Sequence, residues 1–209
     1  MDGDLSGAAP YVPEHATLPV LARAVQACKG CDLYKHATQA VLGEGPASAR
    51  VVMIGEQPGD REDLAGKPFV GPAGRLLDQA LEEAGIVRTD VYVTNAVKHF
   101  KFEERGKRRI HKKPSTSEIA ACHPWLEAEL AQVHPQIIVC LGATAAHAVI
   151  GRQHSLLKER GKFFVQDGVQ VTATVHPSSI LRAPDEDRRH TDYAAFVDDL
   201  KAVRRKLAR

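Results

Sequence analysis

Three short stretches of this sequence carry side chains able to make or break a covalent bond. Gly55-Glu56-Gln57-Pro58-Gly59-Asp60 sets two carboxylates and an amide on a glycine-rich turn. A carboxylate so placed can stabilise a developing cation or accept a proton; the plainer alternative is a helix-capping turn with solvated acids. The stretch is neither a Gly-Lys-Ser/Thr phosphate loop nor a GxGxxG dinucleotide fingerprint. His176-Pro177-Ser178-Ser179 offers an imidazole that can hydrogen-bond a leaving group, and serines that can hold a phosphate. His-Pro alone decides little, since residues 123–124 and 134–135 repeat it as helix punctuation or core. The third stretch is Lys107-Arg108-Arg109-Ile110-His111-Lys112-Lys113, between Gly106 and Pro114. That bracketing predicts a surface loop. Its charge suits either a phosphate grip or a solvated basic loop. His111 is the one side chain there that can exchange a proton, or act as a nucleophile, near neutral pH.

Further candidates are spread along the chain. Cys28 and Cys31 form a chelating pair, and Cys122 and Cys140 lie far off in sequence. Four converging thiolates would suit zinc or an iron–sulfur cluster, and spacing does not choose between them. The alternative is one CxxC turn plus two core cysteines. Asn95 offers donor and acceptor together, enough to read a pyrimidine edge, or it is a strand-end turn former. Phe69 can stack on a base or cover the core.

The elements that must position these residues alternate between strand and helix. Apolar runs at 50–54, 90–97 and 135–141 read as strands, and 163–165 with 169–175 as a hairpin-like pair around Asp167-Gly168. Helical spacing covers 18–27, 73–84, 143–150 and 191–207, with 61–72 loop-like. Ser115 and Glu118 form a capping box for a helix running to about residue 133. This pattern predicts an α/β three-layer sandwich with a central, mainly parallel sheet flanked by helices. Its working loops lie beyond the strand carboxyl ends: residues 55–60, 95–99, 142–144 and 176–182.

With 209 residues, 44% of them hydrophobic, the chain suits one sizeable domain, at 17–209, behind a flexible lead-in at 1–16. A net charge of +2 means that nucleic-acid binding must rest on where charge sits. No apolar run reaches the ~20 residues of a membrane span, and the first residues lack a secretory h-region. A cytoplasmic location is expected, where disulfides are disfavoured.

Taken together, the residues resemble the uracil-DNA glycosylase superfamily, on its iron–sulfur branch. Gly55-Glu56-Gln57-Pro58-Gly59 resembles the first motif and His176-Pro177-Ser178-Ser179-Ile180-Leu181-Arg182 the second; Asn95, Phe69 and the cysteine layout agree in order. Gln57, where typical members carry Ala, and the inserted Lys107-Arg108-Arg109-Ile110-His111 resemble the UdgX type. The resemblance implies a four-stranded, mainly parallel sheet. It also implies a structural [4Fe-4S] cluster on Cys28, Cys31, Cys122 and Cys140, with zinc as the alternative metal. The implied reaction excises uracil from DNA, after which a loop histidine, His111, bonds the sugar C1′. Phe69 would stack on uracil beside Gly55 and Gln57, Asn95 would read its edge, and His176 would stabilise the departing anion. Glu56 or Asp60 would serve the cation or the attacking group, and Arg109 would pin the loop to phosphate or protein. Lys98, Lys107, Arg108, Ser178, Ser179 and Arg182 would contact DNA. Expected partners are uracil-containing DNA, preferably single-stranded, with free uracil as product; a monomer near the nucleoid, away from membranes, is implied. An ordinary turnover glycosylase and a non-catalytic module for damaged DNA are the competing readings.

Overall fold

Strands β1 (Val51–Gly55), β2 (Val91–Asn95) and β5 (Ile137–Leu141) are buried along their whole length. That is what near-continuous Val/Ile/Leu runs require of parallel strands covered on both faces. The computed structural model describes residues 7–151 and 155–208. Its main sheet runs β2-β1-β5-β7-β6, where β6 is Phe163–Gln166 and β7 is Val169–Thr174. Four strands are parallel, and β6 pairs antiparallel with β7 at the edge. The sheet thus has five strands, not the four expected, because the predicted hairpin pair joins it whole.

Side-chain alternation along β1 divides the core. Val51 and Met53 pack with α3 (Pro72–Glu83) and α8 (Glu186–Leu207), through Leu77, Leu81, Phe196 and Leu200. Val52 and Ile54 pack on the other face with α4 (Thr116–Val133) and α5 (Ala143–Val149), through Leu126, Ala145 and Ala146. Helix α4 starts at the expected capping box: Ser115 accepts from the Glu118 N–H, and Glu118 returns the bond to the Ser115 N–H at 2.6 Å. Of the two His-Pro pairs, His134 caps the end of α4, whereas Pro124 lies inside that helix. Helix α8 starts earlier than its apolar pattern suggested, because Asp185 caps it by accepting from the Arg188 N–H. Residues 61–72 are not all loop: α2 (Asp60–Ala65) occupies the start.

A third core gathers around α1 (Leu18–Ala24), with Val25, Leu42 and Trp125. Ala8 and Ala16, from the expected flexible lead-in, are buried in it, and the Ala8 N–H donates to the Ala121 carbonyl at 2.7 Å. Residues 1–6 of that lead-in lie outside the described residues.

Lys98 is a correction of a different kind. Expected at the DNA surface, it is fully buried. Its Nζ donates to Glu129, to Thr94 Oγ1 at 2.8 Å and to the Asn95 carbonyl at 2.7 Å. Glu129 also accepts from the Gly43 N–H at 2.7 Å and Tyr92 OH at 2.9 Å. Removing one partner of such a pair strands a charge in the core. Glu129→Ala should destabilise the fold by about 3–5 kcal/mol, read from urea unfolding, whereas Glu103→Ala on the exposed hairpin should leave the urea midpoint nearly unchanged.

Candidate active site

Strand order reverses beside β1: the chain passes to β2 on one side and to β5 on the other. Ligands of open α/β sheets bind in the crevice at such a switch point. A cavity of about 770 Å³ lies there, lined among others by Glu56, Gln57, Phe69, Asn95, His111, Thr144, His176 and Arg182.

Its floor is closely packed. A Cβ on Gly55 would stand 2.3 Å from Asn95 Oδ1 and 3.0 Å from the Phe69 ring. Only glycine lets those two side chains meet at the end of β1. Phe69 has φ 55°, rare for an aromatic residue, and backbone held in such a state clusters at functional sites. Its ring lies 6.0 Å from that of His176, tilted by 30°. The Asn95 amide is 3% exposed and its side chain has no hydrogen bond among the described residues. The amide faces the cavity it lines, so donor and acceptor stand ready for a ligand.

His176 precedes the short helix α7 (Pro177–Leu181). Its Nδ1 accepts from the Ser178 N–H at 3.1 Å and lies 2.8 Å from Ser178 Oγ. That fixes the ring proton on Nε2, where it can be donated. Burial, helped by the charges of Arg182 and His111, pulls the His176 pKa down to about 4, so the ring is neutral at pH 7. Glu56 is oriented by Thr144, whose hydroxyl donates to Oε2.

The predicted basic loop is a β-hairpin, with β3 at Phe102–Arg105 and β4 at Arg108–His111. The connection Gly106-Lys107 has a positive φ only at Gly106, as a type II′ turn requires. Charge composition hid the strand, but Arg109 and His111 stand two residues apart and share a face. Arg109 grips the protein rather than phosphate. Its Nε donates to Asp60 Oδ1 and its Nη1 to Asp63 Oδ2, both at 2.6 Å, while Phe100 and Phe102 lie under the guanidinium at 5.5 and 5.0 Å. Asp60, expected in catalysis, belongs to this clamp and not to the cavity wall. His111 comes to rest with Nε2 3.5 Å from Glu56 Oε1 and 3.0 Å from Gln57 Nε2. Desolvation lowers its pKa more than the Glu56 charge raises it. The Gln57 amide clips the hairpin base, donating to the Lys112 carbonyl at 2.9 Å and the Lys101 carbonyl at 3.1 Å, and accepting from the Lys101 N–H at 3.1 Å.

Ser178, Ser179 and Arg182 line the cavity with Lys113, whereas Lys107 and Arg108 lie along a separate groove with Leu64 and Ile110. Sequence reasoning missed Thr144, Asp63, Phe100 and Phe102, and had Lys113 only as part of the basic stretch. Thr144 fell inside a strand-end segment already singled out; Asp63 had only its helical spacing from Asp60 as a signal.

The cysteines divide. Cys28, Cys31 and Cys122 are buried in one core, where the charge of Cys28 bears on Cys31 and the charges of both bear on Cys122. Cys28 Sγ accepts from Trp125 Nε1–H and Cys122 Sγ from the Lys98 N–H, both at 3.2 Å. Cys140 sits in mid-strand among Val52, Ile54 and Ala146, with burial the sole influence on its thiol. Cys28, Cys31 and Cys122 could hold an iron–sulfur group, with N–H donors aimed at two of the sulfurs, but among the described residues no three His, Cys, Asp or Glu side chains close on a single ion, and Cys140 lies in the other core.

The chain belongs to the uracil-DNA glycosylase superfamily, whose family model matches residues 42–201. It is 38% identical over 174 residues to the type-4 uracil-DNA glycosylase of Thermotoga maritima, covering 82% of this chain and 87% of that one. It is 35% identical over 176 residues to the type-4 enzyme of Archaeoglobus fulgidus, covering 80% and 85%. Identity to the type-5 uracil-DNA glycosylase of Pyrobaculum aerophilum is 31% over 154 residues, covering 65% and 64%.

Because folded His176 stays neutral to about pH 4 while an ordinary imidazole protonates near 6.5, acid favours the unfolded chain across that window. Urea midpoints should fall from about pH 6.5 to about pH 4. They should fall less steeply in His176→Asn, which keeps a capping acceptor.

Proposed function

We propose that this protein excises uracil from DNA and then bonds the vacated deoxyribose C1′ through His111. The observation that carries this reading is the seat of His111: a neutral imidazole, fixed by the Arg109 clamp, beside Glu56 at the mouth of the cavity.

A base inside a duplex must be flipped out before it can be cut, at less cost from single strand. Phe69 gives the flipped uracil a stacking face, and the unpartnered Asn95 amide matches its O4 and N3–H. As the N1–C1′ bond breaks, its electron pair leaves with uracil, and His176 Nε2–H donates to O2 of the anion. The sugar becomes oxocarbenium-like, with the Glu56 carboxylate positioned to stabilise it. Gln57 has two amide hydrogens for three acceptors: two carbonyls and His111 Nε2. The imidazole lone pair is thus only partly engaged. Its attack forms the N–C1′ bond, and the Nδ1 proton can then pass to solvent. A well-held nucleophile outcompetes water through effective molarity, up to ~10⁵ M or more. Cys28, Cys31 and Cys122 would hold an iron–sulfur group, which when bound would staple the CxxC loop to α4.

Mixed with a uracil-containing oligonucleotide, the protein should give a shift stable to heat and SDS, absent in His111→Ala. Free uracil released in many-fold excess over protein would instead identify a turnover glycosylase. Arg109→Ala should reduce the adduct by tenfold or more while uracil release falls less. Equal loss of both would place Arg109 in the excision step.

A further inference from the structure

We propose that Thr144 is a positioning residue that decides between adduct and hydrolysis, by holding Glu56 toward His111 and away from water. The inference rests on the reading of His111 as the group that bonds C1′. It adds to that reading the residue that withholds the carboxylate from the competing reaction.

Glu56 is shared between two elements. Thr144 Oγ1, at the start of α5, donates to Oε2. Oε1 is turned to the imidazole, 3.5 Å from His111 Nε2. The Thr144 bond spans 88 positions of sequence, although a threonine near a helix start can satisfy its hydroxyl on local backbone. Thr144 is only 4% exposed, so its hydroxyl depends on this acceptor rather than on solvent.

The hydroxyl is also fixed in space. The Gly142 N–H donates to the Thr174 carbonyl at 2.8 Å, and the Gly142 carbonyl accepts from the Ala146 N–H at 3.1 Å. A Cβ on Gly142 would stand 3.2 Å from that of His176, and its φ of 92° favours glycine as well. The turn that carries Thr144 is thus packed against the residue that would steady the departing uracil. One carboxylate bridges this rim of the sheet and the hairpin that delivers His111.

The division of its two oxygens matters once the N1–C1′ bond has broken and the electron pair has left with uracil. Two nucleophiles can then meet the oxocarbenium-like carbon. His111 closes the N–C1′ bond with its ring lone pair, releases its Nδ1 proton to solvent, and needs Glu56 only as a fixed negative charge. Water must close an O–C1′ bond and hand a proton to a carboxylate oxygen. Oε2 is taken by Thr144, and Oε1 fronts the imidazole. Without the hydroxyl, the carboxylate is free to turn about its broad terminal torsion and to hydrate. Loss of this one bond should therefore favour the abasic product while every reacting group stays in place.

The test compares the full wild-type chain with Thr144→Val, which keeps the side-chain shape, and Thr144→Ser, which keeps the hydroxyl. Each is mixed with a uracil-containing oligonucleotide, and adduct and free abasic strand are counted on one denaturing gel. Thr144→Val should lower the ratio of adduct to abasic strand by about tenfold or more, as loss of a hydrogen bond to a charged group allows. Thr144→Ala should do the same and decides the matter if the valine variant fails to fold; Thr144→Ser should keep the ratio near wild type. Both products falling together, at an unchanged ratio, would overturn the proposal. A second readout needs no DNA. Desolvation lowers the His111 pKa most and Arg182 adds to it, while Glu56 and Glu62 oppose them; His176, the neighbouring imidazole, is neutral at pH 7. The NMR titration of the His111 ring should therefore move down in Thr144→Val, toward its position in Glu56→Gln, and return in Thr144→Ser. A titration that moves in Glu56→Gln but not in Thr144→Val would also overturn the proposal. Wild-type protein that turns over without adduct would sink the reading of His111 instead, and the titration alone would then decide whether Thr144 holds Glu56.

Discussion

The buried pair between Lys98 and Glu129 ties the segment after β2 to α4 by a charge-assisted bond inside the core. Glu129 belongs to α4, and its carboxylate also accepts from Tyr92, Thr94 and the Gly43 N–H. Lys98 reaches back to the Asn95 carbonyl and so closes the end of β2. The backbone it fixes carries Asn95 before it and His99 after it. Its own N–H is the donor to Cys122. A lysine that sequence reasoning would send to the phosphate backbone instead sets the Asn95 amide, the core of Cys28, Cys31 and Cys122 and the root of the hairpin in one frame. Such a pair contributes little net stability against an apolar replacement; its value here is positional.

Onto that frame the hairpin adds a second, more superficial lock. Arg109 is held by two carboxylates of α2 and by two aromatic rings, so its position is fixed by geometry as well as charge. The basic residues divide accordingly. Arg109 acts within the protein, Lys113 and Arg182 face the cavity, and Lys107 and Arg108 remain on the outer turn.

Much of this was legible in sequence. The three central strands were plain from apolar runs too long and too continuous to be half-exposed. The cavity floor was legible as well, because Gly55, Asn95 and His176 each end or follow a strand. What escaped did so for physical reasons. Burial of Lys98 depends on Glu129, thirty-one positions away, and no local pattern couples them. The hairpin was masked because its strands are short, charged and exposed, so no hydrophobic alternation marks them. Cys140 was expected as a ligand from the four-cysteine layout and the resemblance it supports; strand alternation, which turns it toward the other core, only becomes readable once the neighbouring faces are known.

The register of β4 has a consequence for how such a chain could change. Arg109 and His111 reach the body of the protein because they lie two apart on one face. Ile110 between them faces outward, opposite Glu103. One residue gained or lost between the arginine and the histidine would leave the clamp closed and turn the imidazole to solvent. On the proposed chemistry, a repair enzyme that lets go of its product and one that dies on it would then be neighbours in sequence space, a single codon apart.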